Sequence, residues 1–126
     1  MIKAYTLAAI LLPCLLIGCA SAPPTLYQWG DYQGQIYNMY SDPGKSSPEE
    51  QITKLEEDYQ KARSSSKQVP PGYHAHLGYL YFKIGKVDQA LQELETEKAL
   101  FPESTVYMNR LIQQIKKNRG CKCEIT

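Results

Sequence analysis

Between Trp29 and Ile115 the apolar residues recur every three or four positions, and glycine, proline and serine clusters divide the recurrence into blocks. That spacing lays side chains along one face of a helix. Trp29, Tyr32, Ile36, Met39 and Tyr40 form a first face, weakened at its start by Gly30 and Gly34 and ended by "SDPGKS". Ser47 then sits where a cap belongs, Pro48 suits the first helical position, and Glu50 can complete a capping box. The helix that follows carries Ile52, Leu55, Tyr59 and Ala62 on an otherwise charged surface, so it rests on a neighbour along one stripe. After a loop from Ser64 to Gly72, Gly85 separates two more helices. Leu77, Leu80, Tyr81 and Ile84 line one, and Ala90, Leu91 and Leu94 line the other. Pro102 stops the second of them. A last helix presents Met108, Leu111, Ile112 and Ile115, with Lys116, Lys117, Arg119 and then Gly120 as its expected end. The expected fold is all-α, with about five helices.

The first residues read differently. Lys3 supplies one positive charge, and Ala4 to Ile17 is nearly all apolar. As a helix that run reaches about 21 Å, short of the ~30 Å hydrocarbon core, which argues for a secretory signal rather than a span. The junction Leu16-Ile17-Gly18-Cys19 resembles a bacterial lipobox. The resemblance implies cleavage between Gly18 and Cys19 and a diacylglycerol on the Cys19 sulfur, followed by acylation of its new amino group. The competing reading of Cys19 is a core thiol that merely follows a hydrophobic run. Each buried methylene contributes about 0.8 kcal/mol, so three acyl chains anchor firmly where one does not. Ala20 after the cysteine implies, by enterobacterial sorting rules, delivery to the outer membrane. The expected organisation is a signal peptide over 1–18, a lipidated cysteine and tether over 19–25, and a helical domain over 26–126 ending in a short flexible tail.

Without Lys3 the basic and acidic residues balance, and no basic stripe stands out, so nucleic acid is not an expected partner. Cys14 falls in the signal. Cys121 and Cys123 remain in "RGCKCEIT". In an oxidising compartment they can pair with each other, pair with a partner, or sit idle in the tail. A disulfide across one intervening residue closes a tight ring that is easily reduced.

The third and fourth helices resemble a tetratricopeptide repeat. Leu77-Gly78 matches the paired Leu-Gly of the repeat's first helix, Tyr81 its aromatic, Gly85 its turn, Ala90 its small second-helix residue and Pro102 its closing proline. Gly78 and Ala90 permit close approach, while Leu77, Tyr81 and Leu94 fill the seam. His74 stands where tryptophan is common and Glu97 where alanine is usual, which predicts disturbed packing or an exposed edge at Glu97. The last helix is then the first half of an uncompleted repeat, a cap that also allows self-association. Over nearly the whole mature chain, "PPTLYQWGDYQGQIYNMY", "VPPGYHAHLGYLY" and "EKALFPES" resemble an uncharacterised family of proteobacterial outer-membrane lipoproteins, domain of unknown function 4810. The resemblance implies a small envelope lipoprotein working beside a curli-secretion-like lipoprotein and a second small lipoprotein, with no catalytic residues to transfer.

Among site candidates, Tyr79, Phe82 and Lys83 lie off the stripe of Leu77, Tyr81 and Ile84, on what would be a repeat's concave face. They either receive a partner peptide or helix, or pack on the preceding helix pair. Of the early aromatics, Trp29, Tyr32 and Tyr40 are expected in the core, while Tyr27 and Tyr37 leave the stripe. His74 and His76 with Cys121 and Cys123 invite a zinc site, but side chains two apart on a helix point apart. No nucleophile–base pair, phosphate loop or metalloprotease motif is present in the sequence, and acid pairs such as Glu49-Glu50 sit on solvated surface. The expected function is therefore non-enzymatic: a scaffold or assembly factor with no cofactor beyond the lipid on Cys19. The rival is a redox- or metal-linked envelope protein acting through Cys121 and Cys123.

Overall fold

The computed structural model describes residues 25–122, with side chains through Arg119. Among the described residues five α-helices follow one another: α1 (Tyr32–Ser41), α2 (Pro48–Ser64), α3 (Tyr73–Lys83), α4 (Val87–Leu100) and α5 (Thr105–Lys122), with a 3₁₀ turn at Pro102–Ser104 before the last. The fold is all-α. No helix among the described residues is long and apolar enough to cross a membrane.

α2 starts as its sequence dictates. The Ser47 hydroxyl accepts from the Glu50 N–H at 3.2 Å, and the Glu50 carboxylate accepts from the Ser47 N–H at 3.0 Å, with Pro48 at the first position. Two backbone donors at the helix start are thereby satisfied. Ile52, Leu55 and Ala62 are buried, with Tyr59 packed beside them. They meet Val69, Tyr73, Leu77, Leu80, Tyr81 and Ala90 in the main core. Tyr73 locks this layer, because its buried hydroxyl donates to the Leu55 carbonyl and ties α3 to α2. Burial raises the Tyr73 pKa, with nearby acids adding to the effect, so the donor form persists throughout the physiological range.

α3 and α4 share the most extensive helix–helix contact among the described residues. Gly85 makes their turn in the left-handed region, φ +79°, where glycine alone is free of strain. A second core of Leu94, Met108, Ile112 and Ile115 joins α4 to α5, with Ala75, Val87, Leu91 and Leu111 packed against it. Arg119 closes that layer, donating from Nη1 to Asp88 Oδ1 at 2.8 Å.

Three expectations need correction. Trp29 stands outside α1, because Gly30 turns the chain at φ +50° and the helix begins at Tyr32. α1 then presents Gln35 inward, and Tyr40 is exposed rather than in the core. Of the early aromatics, Tyr32 packs against the main core, and Tyr27 leans edge-on against buried Phe101. The last helix does not end before Gly120 but runs on to Lys122. A glycine inside a helix costs only about 1 kcal/mol, which a continuing hydrogen-bond ladder offsets. Glu97 is neither an exposed edge nor a packing fault. It is 1 % exposed and fully engaged.

Candidate functional site: an apolar groove between α3 and α5

The start of α3 has no local cap. Gly72 precedes it at φ +88° with no side chain to offer. The deficit is met from the neighbouring helix. One Glu97 oxygen accepts from the Gly72 N–H at 2.6 Å and the other lies 3.4 Å from the Ala75 N–H. A negative charge at a helix N-terminus is the favourable arrangement. One turn earlier on α4, Glu93 Oε2 lies 2.6 Å from His74 Nδ1, and His74 is itself buried edge-on against Tyr59. The two residues that depart from the repeat signature are thus the two that stitch α4 to the start of α3.

With α3 fixed this way, two of its off-stripe residues, Tyr79 and Phe82, face α5. Ala75, Tyr79 and Phe82 from α3, Leu94 from α4, and Leu111, Gln114, Ile115 and Asn118 from α5 line one groove of about 190 Å³. Tyr79 is 46 % exposed and Phe82 36 %. The groove is smaller than the ~300 Å³ at which small-molecule sites begin, and it suits one or two side chains of a docked segment. Tyr79 and Phe82 therefore do not pack on the preceding helix pair. Lys83 does not line the groove. Its ammonium lies 5.7 Å from the Tyr79 ring centroid, in cation–π range, and it borders a separate cleft with Asn38, Met39 and Gln51. The groove's far wall was legible only as the Leu111 and Ile115 pair, four residues apart, which reads equally well as core.

An aromatic ladder leads away from the groove. His76 stacks on Tyr79 at 6.4 Å and meets Tyr32 at 6.0 Å, and Tyr32 in turn stacks on Trp29 at 6.4 Å. His76 is 7 % exposed and its Nε2 has no hydrogen-bond partner among the described residues. Burial alone lowers its pKa from 6.5 to about 4. The folded state therefore holds His76 neutral where the unfolded chain takes up a proton. The contribution is intact above pH 6.5 and declines as pH falls toward 4. Between pH 7 and pH 5 the domain should lose about 2 kcal/mol of stability, seen as a falling urea midpoint. His76→Gln should flatten that slope. An unchanged pH dependence in the variant would show that another group carries it.

His74 is engaged by Glu93 and His76 lies against Tyr32 and Tyr79, and no group of three or more potential metal ligands occurs among the described residues. Gly18, Cys19 and Cys123 lie outside the described residues, as does the Cys121 side chain. Leu77, Gly78, Tyr81, Ala90 and Leu94 are all buried where α3 meets its neighbours. Pro102 opens the 3₁₀ turn that redirects the chain into α5.

No curated protein and no solved structure matches the chain. A family model does match, over residues 26–111, which takes in α1 to α4 and the first part of α5. The chain belongs to the family described as a domain of unknown function, DUF4810.

Proposed function

We propose that this protein is a non-enzymatic lipoprotein of the outer membrane, lipidated on Cys19 and facing the periplasm, that scaffolds or helps assemble an envelope complex by protein contact. The observation that carries the reading is the α3–α5 groove, where two half-exposed aromatics stand over an apolar floor of side-chain dimensions. Such a slot takes the anchor residues of an amphipathic helix or extended segment. A tetratricopeptide-like hairpin of α3 and α4 belongs to the same reading, supported by Gly78 lying against Ala90 and Leu94 and by Gly85 making the turn. A lipid anchor confines the groove to a surface and so raises the effective concentration of partners held there. The proposed partners are a curli-secretion-like lipoprotein and a second small lipoprotein.

Two experiments test this. Cys19→Ser should leave full-length precursor. Normal cleavage and membrane retention of that variant would defeat the lipoprotein assignment. Tyr79→Ala combined with Phe82→Ala should weaken capture of the pore-type lipoprotein, after gentle crosslinking in native envelopes, by roughly thirtyfold, the effect of losing about 2 kcal/mol of anchor energy. Both side chains are partly exposed, so the melting temperature should move little. Undiminished capture would place the binding face elsewhere.

A further inference from the structure

α1 is the least attached of the five helices, with only slight contact to the others. Its inward side, Asp31, Gln35 and Asn38, borders a cleft with α2. Its outward side carries Gln33, Ile36, Tyr37 and Tyr40, at the i, i+3, i+4, i+7 spacing of one helical stripe. Tyr37 is 70 % exposed and Tyr40 77 %. Tyr32 lines the same shallow surface and carries Trp29 stacked on it, itself partly exposed. Between Tyr32 and Ser41 there is no charged residue of either sign.

We propose that this aromatic stripe rests on the lipid bilayer, at the level of the headgroups. The proposal rests on the lipidation of Cys19. The occupant follows from where the chain leaves the structure. The described residues begin at Thr25, and the stretch from there back to Cys19 extends at most about 20 Å. Leu26 is exposed, Tyr27 and Gln28 pin the chain to Phe101 and Gln68, and Trp29 follows, so the stripe is the first exposed helical face after the anchor. A tether this short holds Thr25 within about 20 Å of the anchor, so the stripe is within reach of the bilayer surface. The chemistry fits the same place. Tyrosine and tryptophan combine an apolar ring with a polar edge and favour the membrane interface over both water and hydrocarbon. A charge-free stripe suits a leaflet without demanding anionic lipid, unlike the basic faces that bind by electrostatics. α1 is too short and too polar to insert. It would lie flat and fix the orientation of the domain, leaving the α3–α5 groove on a body of set pose.

Trp29 is the chain's one tryptophan, which makes it a built-in reporter. The acylated full-length mature protein is reconstituted into phosphatidylethanolamine–phosphatidylglycerol vesicles whose acyl chains carry bromine near the headgroup. Trp29 emission should shift to the blue and lose roughly half its intensity, as for an indole at the interface. Tyr37→Ser with Tyr40→Ser should abolish the quenching while the protein still floats with the vesicles. An acylated, floating wild type whose Trp29 is unquenched would overturn the proposal and leave the lipoprotein reading standing. So would quenching unaffected by the double substitution, or a crosslinked dimer that the double substitution dissolves, which would make a second copy the occupant. Mass spectrometry of the same preparation showing an unmodified Cys19 would bring down both readings together.

Discussion

Glu97→Ala lowers the unfolding free energy by about 3 kcal/mol, read as a reduced urea midpoint at unchanged slope. The magnitude follows from what the truncation leaves behind. The Gly72 and Ala75 N–H groups lose their acceptor at the start of α3, in a region where Glu97 itself is 1 % exposed. Neither donor has an intrahelical partner by virtue of its position. A bond to a charged acceptor contributes about 1.5–3 kcal/mol, and orphaned buried donors add their own penalty. The carboxylate's own desolvation works in the opposite direction and keeps the figure from rising further. Glu97→Gln should lose less, since one amide oxygen still accepts while the amide nitrogen faces donors. In a domain of about 100 residues the alanine variant corresponds to a melting temperature lower by roughly 15 °C. A loss below about 1 kcal/mol would mean that water replaces the carboxylate, and that the cap is not what secures α3.

Gly78→Leu should cost more, about 4 kcal/mol or outright failure to fold. Gly78 lies within α3 at ordinary helical φ, so backbone freedom does not explain the glycine. Close approach does. A Cβ at this position would stand 3.1 Å from the Ala90 carbonyl oxygen, 3.3 Å from Glu93 Cβ and 3.3 Å from Leu94 Cγ. The first of these is backbone and cannot swing aside. A leucine would prise α4 from α3 and open the seam where Leu77, Tyr81, Ala90 and Leu94 are now buried. Gly78→Ala sets two smaller effects against each other. Helix propensity gains up to about 1 kcal/mol, and the tight contact takes back a similar amount. Thermal unfolding followed by circular dichroism should therefore place the alanine variant near wild type and the leucine variant far below it. A leucine variant with wild-type stability would show that the hairpin is loosely packed, and would remove the main support for a repeat-like arrangement.

These two residues also mark how far the sequence reaches. Gly78 was legible: a Leu-Gly pair in one helix, with Ala90 in the next, signals close packing, and the distances agree. The Ser47–Pro48–Glu50 start was equally legible, because a capping box is built from residues three apart. Glu97 was not, because its partners lie more than twenty residues away and no local pattern distinguishes a remote cap from a misfit. The setting of α1 was not legible for a related reason. The spacing of Trp29, Tyr32, Ile36 and Tyr40 describes a helical face but not what that face meets. Its exposure followed from Gly30 turning the chain and from α1 turning its Gln35 side inward.

The sequence by itself determined the number and order of the helices, the capped start of α2, the turn at Gly85 and the close α3–α4 contact, since each depends on spacing within a few residues or on side-chain size. Only the tertiary structure decided which stripe is core and which is surface, that Tyr79 and Phe82 share a groove with Leu111 and Ile115, and that α4 caps α3. Those outcomes depend on how helices distant in sequence are brought together, and periodicity along one helix carries no information about its neighbour.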